Sequence, residues 1–141
     1  MINLLASILV WLTGLYLISL ALIMLLAPAR AKRFLSGFAS SAFAHYLELG
    51  LRLTTGVAIL LYAPQMLFSN FFVICGWILV VTTVVLFAVP WQWHQRFAQW
   101  GVPYATRNLK LVAGASFVFG GFVIAAIIFR RYGAMKQRGI N

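Results

Sequence analysis

His45, Tyr46, Glu48 and Arg52 lie within about two helical turns of one another, the one place where this sequence gathers groups able to do chemistry. A spacing of four puts Glu48 and Arg52 on one helical face, with the acid N-terminal to the base, the favourable order for an ion pair. His45, three residues before Glu48, shares that side. The functional reading of the cluster is a proton-linked carboxylate or a polar clamp for an anionic headgroup. The structural reading is an ion pair that settles Arg52 and orients its helix. The second is the stronger, because a carboxylate held by a guanidinium is poorly suited to exchange protons near neutral pH.

Little else offers reactive groups. Glu48 is the only acid in 141 residues, and Cys75 the only cysteine, so carboxylate and cysteine metal sites and a disulfide framework are not expected. His45 and His94 are the only histidines. Both fall on one side of the apolar runs, so a bis-histidine haem or pigment site is conceivable, histidine being a usual axial donor. His94 stands between Trp93 and Gln95, where an interfacial imidazole needs no special account. No nucleophile elbow, P-loop, zincin or dinucleotide signature is present. General acid–base catalysis uses two placed titratable groups. An enzyme acting alone is therefore not expected, and no cofactor is assigned.

The elements that carry these residues are apolar runs. Between Asn3 and Ala27 there is no charged side chain, and three further runs follow. Hydrophobic residues make up 64 %, far above the share in a soluble domain. A hydrocarbon core of about 30 Å takes roughly 20 apolar residues as a helix, which satisfies its own backbone amides in lipid. The fold expected is all-α and integral to a membrane, a single four-helix transmembrane domain over 1–141. Its helices are placed at about 4–27, 43–63, 69–89 and 109–129, with a short basic tail at 130–141. Pro28, Pro64 and Pro90 end the first three. The first run lacks a basic flank and exceeds a signal-peptide core in length, so despite Ala29-Arg30-Ala31 it reads as a retained helix.

The two long linkers are amphipathic. Trp93, Phe97 and Trp100 share a face opposite Gln92, Gln95, Arg96 and Gln99, and Ala31, Phe34, Phe38 and Ala42 oppose Arg30, Arg33, Ser40 and Ser41. Such segments lie flat in the headgroup layer, and Phe34, Phe38, Trp91, Trp93, Phe97 and Trp100 are assigned as interfacial anchors. Gly37 and Gly101 weaken them as continuous helices. Each linker follows a proline and leads to a basic residue four before a glycine: Arg52 with Gly56, Lys110 with Gly114. The pattern suggests a tandem duplication of a two-helix unit. Helix-end rules alone generate part of the same match.

Small residues allow close helix approach in lipid, which singles out Gly56, Gly114, Gly120 and Gly121 as packing positions. The net charge of +10 comes in short groups at the ends of the runs, where it suits anionic lipid headgroups and topology signals and not nucleic acid. Basic residues flank both sides. The uncharged start of the first run favours cytoplasmic linkers and external termini.

An apolar run, a proline and aromatic-basic linker and a basic-glycine helix start together resemble many small bacterial inner-membrane proteins. Size, four spans and one membrane carboxylate also resemble the small multidrug exporters, whose essential glutamate lies in the first helix. Here Glu48 lies near the start of the second, beside Arg52. The leading expectation is a non-catalytic accessory or structural subunit of a larger bacterial membrane complex, partnered by another membrane protein or by a second copy. The alternatives are a small dimeric transporter using Glu48 and a haem- or pigment-binding subunit.

Overall fold

The computed structural model describes residues 1–37 and 41–138, without the side chains of 36, 94, 98, 131 and 134–138. All its regular elements are helices: α1 (Ile2–Leu26), α2 (Pro28–Gly37), α3 (Ala42–Tyr62), a 3-10 turn (Ala63–Gln65), α4 (Ser69–Ala88), α5 (Trp91–Arg107) and α6 (Leu109–Arg138). Four are long and apolar enough to cross a membrane, at Ile2–Leu26, Ala42–Gln65, Ser69–Ala88 and Leu109–Arg130. Large apolar side chains stay exposed along all of them, as lipid-facing helices require.

Local chemistry sets the boundaries. Ala27 leaves helical geometry at φ −138 and ψ 63. Pro28 then opens α2, at the position where a missing N–H costs a helix nothing. The Ser41 hydroxyl accepts the Ala44 amide at 3.2 Å and caps α3. Pro64 lies in the 3-10 turn that stops it. Phe68 then takes the left-handed conformation, φ 59 and ψ 44, rare for an aromatic residue.

Both linkers are more regular than the sequence suggested. Gly37 is the last residue of α2, and α5 runs through Gly101 and Pro103 to Arg107. Asn108 ends it, its side-chain amide donating to the Tyr104 carbonyl at 3.1 Å. The expected tail is helical from 130 as far as Arg138, because nothing after the last span stops it except Gly133. A glycine inside a helix costs only about 1 kcal/mol. Residues 139–141 lie outside the described part.

The spans pack in the order α6, α1, α3, α4, with α1 against both α6 and α3, and α3 against α4. At the end carrying the α3–α4 turn the row closes into one core. There Phe72 of α4 and Val10 of α1 meet Tyr62 of α3 and Val123 and Ile127 of α6. Phe122 of α6 is the wedge, with Phe68, Phe71 and Phe72 at ring-centroid distances of 5.8, 5.5 and 5.4 Å. At the opposite end Ala21, Met24, Ala31, Leu109 and Ala113 join α1, α2 and α6. The helices α2 and α5 touch each other at this end.

Two close crossings set the spacing. A Cβ on Gly14 would stand 2.8 Å from Ile124 Cγ1 and 3.3 Å from the Gly120 carbonyl oxygen, and one on Gly120 would stand 2.9 Å from the Gly14 oxygen. The α3–α4 crossing has the same form. A Cβ on Gly56 would meet Val80 Cγ2 at 2.8 Å, and one on Gly76 would meet Leu60 Cγ at 2.8 Å and the Gly56 oxygen at 3.2 Å. Backbones can come this near only where no side chain intervenes.

Candidate functional site

The polar cluster occupies the first half of α3. Capped by Ser41, the helix turns His45 and, one turn later, Leu49 into the bundle, where they are 2 % and 0 % exposed. Glu48 and Arg52 fall on a flank. Arg52 lies almost three turns in, about 15 Å from the start of α3 at 1.5 Å per residue. Its side chain reaches back along the helix, the direction in which helical side chains lean. There Arg52 Nη1 meets Glu48 Oε1 at 3.4 Å, with the two side chains 35 % and 25 % exposed. That separation is long for a charge-assisted hydrogen bond. Arg52 Nε is buried with no hydrogen-bond partner among the described residues.

A neighbour from one other span, α4, completes the cluster. Tyr46, exposed, stacks on Phe87 at the end of α4 with ring centroids 6.2 Å apart, and the His45 ring lies 5.2 Å from that of Tyr46. The arrangement holds one acid and one base in an unequal clasp, the guanidinium leaving its Nε donor unanswered. His45 is turned into the bundle and not toward the solvent side of α3. The side chain of His94 lies outside the described part, as does Phe38. Among the described residues no group of three or more His, Cys, Asp and Glu could hold a metal ion.

Comparison with family models, with curated proteins and with solved structures gives no match.

The assigned anchors within the described residues lie on α2 and α5. Phe34, Trp93, Phe97 and Trp100 are exposed, Trp91 is half-buried, and Phe97 and Trp100 have ring centroids 6.2 Å apart. Tyr104, also exposed, extends that stripe by one more turn. Its spacing of four from Trp100 was the available signal, masked by the expectation that Gly101 weakens the helix.

The packing glycines divide. Gly56 and Gly120 sit at the two crossings. Gly114 and Gly121 do not, since a Cβ on either would meet nothing within 4 Å. The partners at the crossings, Gly14 and Gly76, were missed because each is a lone glycine in an otherwise bulky run. The pairing of Gly56 with Gly114 as matching positions therefore fails. The glycine in α6 with the surroundings of Gly56 is Gly120.

Two grooves lie on the outside of the bundle. One, of about 570 Å³, follows α1 from Tyr16 to Leu26 and bends at Ala27 onto Arg30 and Phe34 of α2. The other, of about 410 Å³, runs between α1 and α3.

Proposed function

We propose that this chain is a non-catalytic subunit of a larger membrane complex, built from two copies of a two-span unit and placed in a bacterial inner membrane. The observation that carries the reading is the state of its only carboxylate. Glu48 already answers Arg52 at 3.4 Å, so the one acid available for proton-coupled transport is committed to neutralising a cation at membrane depth.

The exposed face of α4 supports a partner. Ile74, Trp77, Ile78, Val81 and Val85 stand free on a helix whose main neighbour is α3. Lipid satisfies such a face, and so does another transmembrane helix. The duplication is supported by matched intervals. Gly76 precedes Pro90 by the interval at which Gly14 precedes Pro28, and Gly120 follows Gly101 by the interval at which Gly56 follows Gly37. The same offset that takes Gly56 to Gly120 takes the buried residues His45, Leu49, Ile59 and Tyr62 to the buried residues Leu109, Ala113, Val123 and Ala126. Copies related this way run parallel, about an axis along the membrane normal. The bacterial location rests on the likeness of the span-and-linker pattern, and the basic linkers are placed on the cytoplasmic side.

Gentle solubilisation from the native membrane, followed by identification of every co-purifying chain, tests the reading. The expected result is a constant companion or a defined homo-oligomer. A stable monomer with no companion overturns it. Loss of drug export on Glu48→Gln, with the protein still present in the membrane, would instead make it a transporter.

A further inference from the structure

We propose that the elbow between α1 and α2 is a binding site for one anionic phospholipid, whose phosphate sits on Arg30 and whose acyl chain lies in the groove along α1. The proposal rests on bilayer residence, and its count of one site per chain on the duplication proposed above; it is independent of whether the chain has a protein partner. Three observations converge on it.

Dimensions come first. The groove spans Tyr16 to Leu26, ten helical rises or about 15 Å. That is half of a hydrocarbon core about 30 Å thick, the depth of one leaflet. Its wall there is almost all carbon: Leu20, Leu22, Ile23 and Leu26. Apart from Tyr16 and Ser19 at its deep end, the wall offers a polar ligand no side-chain partner, whereas a hydrocarbon chain needs none.

The mouth differs from the wall. At the bend the groove passes Ala27 and meets Arg30, with Phe34 one turn further along α2. Arg30, Lys32 and Arg33 are exposed beside it, and no acidic residue occurs in α1 or α2. A guanidinium presents paired donors that match a phosphate, and the positive end of the α2 dipole adds to the attraction. Cationic mouth and apolar shaft are arranged as the head and tail of a lipid are arranged.

The second half of the chain supplies a contrast. At the interval that carries Pro28 to Pro90, Arg30 becomes Gln92, and α5 opens Trp91-Gln92-Trp93 without a basic residue. The matching elbow lacks the charge, so the site is expected once per chain.

The test is retention of lipid through native mass spectrometry of the full chain. The protein is reconstituted in phosphatidylcholine vesicles containing phosphatidylglycerol and released in mild detergent. One phosphatidylglycerol per chain should remain bound in preference to phosphatidylcholine. Arg30→Gln should lower its retention about fivefold, the effect of one basic residue beside an anionic surface. Ile23→Trp, which fills the shaft and leaves every charge in place, should lower it too. Arg96→Gln, removing an equal charge from α5, should not. Equal retention of both lipids, or equal loss with Arg96→Gln and Arg30→Gln, overturns the proposal. Displacement of the lipid by free glycerol phosphate would show a phosphate site without a lipid shaft, and also overturns it.

Discussion

The amide of Leu67 donates to the carbonyl of Ala126 at 3.0 Å, fastening the turn between α3 and α4 to the middle of α6. A carbonyl inside a helix already accepts from its own ladder, and its second lone pair takes this bond. The adjacent Phe68 is left-handed, and its ring stacks on Phe122. One hydrogen bond and one aromatic wedge thus hold the hairpin to a helix far away in sequence.

Leu67→Pro removes that donor. Met66 before it is extended, at φ −104 and ψ 152, a geometry a following proline accepts. The expected loss is about 1 kcal/mol, the usual worth of one hydrogen bond, read as an earlier midpoint when the protein is unfolded by denaturant in micelles. An unchanged midpoint would mean the bond carries no stability.

Phe122→Ala should cost more, about 2 to 3 kcal/mol, because it leaves a void against three rings. Phe68→Asn should be nearly neutral in the same assay. Asparagine tolerates the left-handed conformation, offsetting about 1 kcal/mol of lost stacking.

Glycine variants should separate sharply by position. Gly120→Val and Gly56→Val push side chains into the facing backbone or into Val80, and each should cost about 1 to 3 kcal/mol. Gly114→Val and Gly121→Val enter open space, and a change within about 0.5 kcal/mol is expected. Thermal stability in one detergent measures all four. Equal losses throughout would mean the backbones at the two crossings do not approach closely enough to exclude a side chain.

The ion pair makes a coupled prediction. Glu48→Gln leaves Arg52 charged about 15 Å along α3 and should destabilise by about 1 to 2 kcal/mol, less than for a fully buried pair since both side chains are partly exposed. Arg52→Gln added to it should recover part of that loss. A double-mutant cycle that sums to zero would show the two groups to be independent.

The sequence carried the spans because their signals are local. Uncharged runs define them, and Pro28, Pro64 and Pro90 interrupt the backbone ladder in ways no packing reverses. What it hid depends on distance in space. Gly114 and Gly120 look alike in one dimension, and only the neighbour opposite, Gly14, separates them. His45 lies on the same side as the ion pair by spacing, yet it is turned into the bundle and buried while the pair stays partly exposed. The extensions of α5 past Pro103 and α6 past Arg130 were missed for another reason. Glycine and proline weaken a helix by finite amounts, and a helix anchored in a bilayer on one side absorbs such a cost.

The contact of α1 with α6 has a consequence for how the protein is made. Of these four spans the first to be made settles on the fourth, so the Gly14 face must wait in the membrane until α6 has followed α3 and α4 out of the ribosome. During that delay the nascent protein is an incomplete sheet of rods with a reserved berth, open to an insertion factor or to the wrong helix. Truncation before α6 should therefore yield a product that the cell's membrane proteases clear, even though three of its four spans are intact.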